Sequence, residues 1–131
     1  MPEARAYPTT KYQSYRAKVS DGKSVRVSVP ANTTIVAGGF YELDGFFGTA
    51  MQSVTTGSGE TSEVILNIEQ AEYETDQIQT TKAFNAGDKI YFTAGKFTPE
   101  AGTAGENRLV GRVTQGKDQN NVIWFILGPQ V

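Results

Sequence analysis

Residues 40–51 read Phe40-Tyr41-Glu42-Leu43-Asp44-Gly45-Phe46-Phe47-Gly48-Thr49-Ala50-Met51. Two short runs rich in aromatic side chains flank an Asp-Gly pair, and such a pair readily takes the left-handed backbone of a two-residue hairpin turn. The stretch predicts a β-hairpin, and its surroundings predict more strands of the same kind. Upstream, Lys23-Ser24-Val25-Arg26-Val27-Ser28-Val29 alternates polar residues with valine, the period of a half-buried strand with Val25, Val27 and Val29 inward. Pro30-Ala31-Asn32 ends it as a turn, and Ile35-Val36 forms a short extended piece before Gly38-Gly39.

Downstream, Gly57-Ser58-Gly59 breaks the chain before Ser62 to Glu69, a strand with Val64, Leu66 and Ile68 on one face. Glu72 to Gln79 reads as an exposed edge strand, whose acids discourage edge-to-edge association. Lys89-Ile90-Tyr91-Phe92 and Lys96-Phe97-Thr98 flank a turn at Ala94-Gly95. After a loop over Pro99 to Asn107, Arg108 to Thr114 and Asn121 to Leu127 form a last hairpin around residues 116–121. The nearest helix candidate, Asp76 to Phe84, is rich in threonine and poor in apolar residues. The expectation is all-β: one antiparallel sandwich or barrel of about nine short strands over residues 22–131, without internal repeat or boundary. Alternation alone does not separate sandwich from barrel. Residues 1–21 have neither period and are expected to form an extended or disordered arm.

A chain of 131 residues fits one core. It has no Cys and no His, which removes disulfides, thiolate chemistry, the usual general base and the usual zinc ligands. Most of the catalytic toolkit is missing, so no enzyme and no cofactor are expected. The net charge of −2 argues against a dedicated nucleic-acid binder. Its distribution is uneven. Arg5, Lys11, Arg16 and Lys18 face Glu3 alone in residues 1–18, whereas eight acids and no basic residue fall between Arg26 and Lys82. A basic leader joins an acidic body. No apolar run approaches the roughly 18 residues of a membrane span, and the leader lacks the apolar segment of a signal peptide. Synthesis in a reducing cytoplasm, with no membrane partner, is the expectation.

The candidate chemical motifs reduce to structural ones. Gly38-Gly39 and Gly57-Ser58-Gly59 lack the following helix and lysine of a phosphate loop, and read as turns. Glu72, Glu74 and Asp76 share one face of an extended strand. That ridge reads as a solvated edge, with a weak cation site as the alternative. Phe40, Tyr41 and Phe46 could offer a sugar platform only if all faced outward, which alternation opposes. Residues 122–127 are apolar on both faces, so the strand is either central in a sandwich or covered by a partner subunit. Val122, Trp124 and Ile126 are the candidate subunit interface. In the leader, Tyr7, Tyr12 and Tyr15 interleave with Arg5, Lys11, Arg16 and Lys18, a mixture enriched where binding surfaces carry their energy. These seven residues are the candidate docking arm.

Five pieces, in order, resemble a family of phage capsid cement, or decoration, proteins. They are Ile35-Val36-Ala37-Gly38-Gly39-Phe40, Gly45-Phe46-Phe47-Gly48-Thr49-Ala50, Ala86-Gly87-Asp88-Lys89-Ile90-Tyr91-Phe92, Gly95-Lys96-Phe97-Thr98 and Asn107-Arg108-Leu109-Val110-Gly111-Arg112-Val113. The arm of about twenty residues and the acidic segment Gln70 to Lys82 depart from the family pattern. The resemblance implies a virion protein that binds the outside of an expanded capsid, with the major capsid protein as partner. It also implies a homotrimer at local threefold positions, no catalytic residues and no cofactor. A tail or head-fibre component, or a carbohydrate-binding module, are the alternatives.

Overall fold

The hairpin at residues 40–51 forms as its sequence requires. In a computed structural model describing residues 17–131, β3 (Phe40–Leu43) and β4 (Phe46–Ala50) pair antiparallel around Asp44 and Gly45, whose φ angles are 53° and 84°. Both lie in the left-handed region, the signature of a type I′ turn. The valine alternation upstream becomes β1 (Ser24–Val29), which pairs along its whole length with β6 (Ser62–Asn67). A four-stranded sheet results, in the order β1-β6-β4-β3. It curls as a half-barrel, and the Ser28 amide of β1 donates to Asp44 Oδ2 at the β3–β4 turn over 2.7 Å. β2 (Thr34–Ile35) and β5 (Val54–Thr55) form a separate small ladder.

The second half of the chain builds a five-stranded antiparallel sheet in the order β7-β11-β10-β8-β9. Its strands are β7 (Glu72–Thr75), β8 (Lys89–Thr93), β9 (Lys96–Thr98), β10 (Arg108–Gln115) and β11 (Ile123–Leu127). Among the described residues eleven strands thus stand where about nine were expected; Val54–Thr55 is a two-residue strand too short to carry a period. No helix occurs among the described residues, and the fold is all-β. The acidic edge strand also forms, but it stops at Thr75. Beyond it Gln77 and Ile78 run beside β9, and the Ile78–Phe97 bridge covers that sheet edge.

The core has two parts, one on each face of the β3–β4 hairpin. Phe40 and Phe47 point towards the five-stranded sheet and meet Phe92, Phe97 and Phe125 with ring centroids 4.7–5.7 Å apart. Tyr41, Leu43 and Phe46, of opposite parity, pack with Val27, Val29, Ile35, Val64 and Leu66 inside the curled sheet. Phe40, Tyr41 and Phe46 therefore do not share an outward face. Two glutamines join the sheets through backbone. Gln77 accepts from the Phe40 amide and donates to the Phe40 carbonyl, and Gln130 does the same to Phe47, at 2.8–3.0 Å.

Candidate functional site

The outer face of the five-stranded sheet starts from β11. Alternation turns Ile123, Phe125 and Leu127 into the core and leaves Trp124 and Ile126 outside. Among the described residues no second layer covers them: Trp124 is 42% exposed and Ile126 46%. β11 is thus interior to its sheet yet has one bare apolar face. Val122, half-buried just before the strand, continues the same parity.

β10 adds to this face in a way that simple alternation does not show. Strict period two would place Leu109 and Val113 on one side and Val110 and Arg112 on the other. The register against β8 slips between Leu109 and Gly111, making Val110 the extra residue of a β-bulge. Val110 and Val113 both turn inward, while Leu109 (52% exposed) and Arg112 both turn outward. Gly111 sits at the slip because any Cβ there would strike the Ile126 carbonyl oxygen. A shallow groove of about 320 Å³ runs between Leu109, Arg112, Lys89, Ile126, Pro129 and Val131.

Cross-strand pairing fixes the order of charges on this face. One row runs Glu72, Ile126, Arg112, Lys89 across β7, β11, β10 and β8, and the next places Glu74 opposite Trp124. The face is acidic at the β7 edge, apolar along β11 and basic along β10 and β8. Thr114 donates to Glu72, and Arg112 Nη1 donates to the Gly87 carbonyl at 2.6 Å. Among the described residues Glu72, Glu74, Asp76, Lys89 and Arg112 form no ion pair.

The other candidate residues fall elsewhere. Arg5, Tyr7, Lys11, Tyr12, Tyr15 and Arg16 lie outside the described residues. Lys18 is exposed and pairs with Asp21 at 2.9 Å. The chain joins the fold where Lys23 meets Glu69 at 3.7 Å, next to the turn that leads into β7. Nothing among the described residues gathers three His, Cys, Asp or Glu into a metal-binding group, and no buried side-chain polar atom there lacks a partner. Two titrating groups are displaced. Burial, then the Glu69 charge, raises Tyr73 above the ordinary tyrosine value of 10.0, while backbone hydrogen bonds from Glu106 itself, Ala104 and Thr103 lower Glu106. Neither faces a pocket of paired acids or a nucleophile.

The arrangement offers a binding surface: an exposed apolar strip bordered by ordered charge. Trp124 and Ile126 were legible as a candidate contact from their doubly apolar strand. Leu109, Lys89 and Arg112 were not, because the bulge that brings them to the same face leaves no mark beyond Gly111. No curated protein and no solved structure matches the chain. One family does: its model, described as phage cement protein, matches residues 19–128, covering both sheets and every strand. The chain therefore belongs to the phage cement protein family.

Proposed function

We propose that the protein binds the outer surface of an expanded phage capsid and stabilises the shell without catalysing a reaction. The observation that carries this reading is the family match over residues 19–128, which makes the chain a phage capsid structural protein. The physics supports the rest. A protein that binds the assembled lattice but not dispersed subunits shifts the equilibrium towards the shell by mass action. The major capsid protein is the partner, and three copies assemble at a local threefold position with Val122, Trp124 and Ile126 between them. The basic, tyrosine-bearing arm (Arg5, Tyr7, Lys11, Tyr12, Tyr15, Arg16 and Lys18) docks on the shell. Several arms from one oligomer act together, so each contact can be weak.

The test is co-sedimentation of the purified protein with expanded capsids of its own phage that lack it, beside unexpanded procapsids. Saturable binding to expanded shells alone, at threefold stoichiometry, is the expected result. Binding to neither shell overturns the capsid reading and leaves a tail or head-fibre role. Within the full chain, Arg5→Gln, Lys11→Gln and Arg16→Gln together should weaken capsid binding tenfold or more; unchanged affinity removes the arm from the contact.

A further inference from the structure

The outer sheet face carries more information than an unpartnered apolar patch, because its two flanks differ in sign. Glu72 and Glu74 stand on β7, and Asp76 follows immediately after it. Arg112 and Lys89 stand on β10 and β8 beyond the apolar strip of Ile126 and Trp124. With strands about 4.8 Å apart, Glu72 lies two strand spacings from Arg112 and three from Lys89, or about 10 and 14 Å. Among the described residues these charges form no ion pair. Glu72 reaches over β11 to accept from Thr114, and Arg112 donates to the Gly87 carbonyl instead. At physiological salt the backbone separations exceed the screening length of about 8 Å. Yet Glu74 on one side and Arg112 and Lys89 on the other border a strip that would be desolvated by any neighbour covering Trp124.

We infer that the occupant of this face is another copy of the same chain, with the acidic β7 edge of one copy against the basic Arg112–Lys89 flank of the next. This rests on the oligomer reading above and specifies its polarity. The face supplies both halves of the contact: acids on one side, bases with Leu109 on the other, and Ile126 and Trp124 between. Copies turned to share an axis bring unlike flanks together around the apolar strip, whereas a copy shifted to set acid against acid is repelled. Charge order of this kind suppresses wrong registers more than it adds affinity. The acidic ridge of β7 has a second effect, since it blocks strand-to-strand pairing at an open sheet edge while leaving the face free to pack.

The chain has a single tryptophan, and it lies in this face, so its fluorescence reports the contact directly. The experiment is sedimentation velocity of the full-length protein over a concentration series, with Trp124 emission and acrylamide quenching read on the same samples. Association with a blue-shifted, quencher-protected Trp124 is expected. Glu72→Lys with Glu74→Lys should raise the dissociation constant tenfold or more, as should Lys89→Glu with Arg112→Glu. All four substitutions in one chain should restore association. Thermal melts confirm that each variant is folded.

A protein that stays monomeric at every concentration overturns the oligomer reading itself. An oligomer that ignores the reversals, or leaves Trp124 fully quenchable, overturns this face and its polarity alone. Neutralising Arg5, Lys11 and Arg16 to Gln should leave association unchanged; its loss would assign the acidic edge to the arm and overturn the pairing.

Discussion

Ala94 holds a φ of 49° at the turn between β8 and β9, with Gly95 following at 79°. An alanine in this region carries a backbone cost of about 1 kcal/mol, which asparagine lowers through its short polar side chain. Ala94 is exposed, so nothing else changes with it. Ala94→Asn should stabilise the protein by about 0.5–1 kcal/mol, seen as a higher denaturant midpoint at unchanged slope. Tyr73 gives a residue-scale dependence on pH. Its hydroxyl donates to the Glu69 carbonyl at 2.7 Å, and burial with the Glu69 charge disfavours the phenolate. A folded-state value raised above the ordinary 10.0 means the contribution is fully present below that pH and is lost as pH rises through the raised value. Stability should therefore fall in strong alkali, and Tyr73→Phe should flatten that fall. An equal alkaline loss in both proteins would place the titration elsewhere. Both turns at Gly45 and Gly95 were legible because glycine and aspartate name their backbone conformations; the partner of Tyr73 was not, since no local pattern encodes a contact across a turn.

At the scale of elements, what could be read from sequence depended on whether a strand kept its period. β1 and β6 alternate cleanly, and their inward valines and leucine are those the pattern names. β10 does not. Its two register shifts, at Val110 and at Thr114, each add a residue that period two cannot count. The strand is legible in the sequence, but its faces are not. Gly111 is the physical reason the first bulge closes, because β10 and β11 approach too closely there for a side chain. Gly111→Ala should force the two strands apart and cost about 1–3 kcal/mol, with loss of Trp124 protection in the oligomer as a second sign. The glutamine clamps are the other feature without a sequence signature. Gln77 makes three backbone hydrogen bonds, to the amide and carbonyl of Phe40 and to the Gly95 carbonyl. At about 0.5–1.5 kcal/mol for each bond, Gln77→Ala should lower stability by about 2 kcal/mol. A loss below about 0.5 kcal/mol would mean that water replaces the clamp at no cost.

Over the whole molecule, the β3–β4 hairpin decides whether two sheets behave as one domain. It gives Phe40 and Phe47 to the aromatic cluster, and Tyr41, Leu43 and Phe46 to the aliphatic one, so neither cluster can lose its contacts without disturbing the same ladder. Arg108 adds a link, reaching from β10 to Glu42 at 3.2 Å and to the Gly45 carbonyl at 2.8 Å. Unfolding should then be a single cooperative event. Far-UV circular dichroism reports both sheets, whereas Trp124 fluorescence reports the five-stranded sheet alone; below the concentration at which copies associate, their denaturant midpoints should coincide. Phe47 tests the coupling, being 1% exposed and packed among Phe40, Phe92 and Phe97. Phe47→Ala should cost about 3–5 kcal/mol through lost burial and the cavity left behind. If the sheets are coupled through this hairpin, both signals move together in the variant. Separation of the two midpoints would show that each sheet keeps its own core, and that the hairpin is a hinge between two units instead of the shared wall of one.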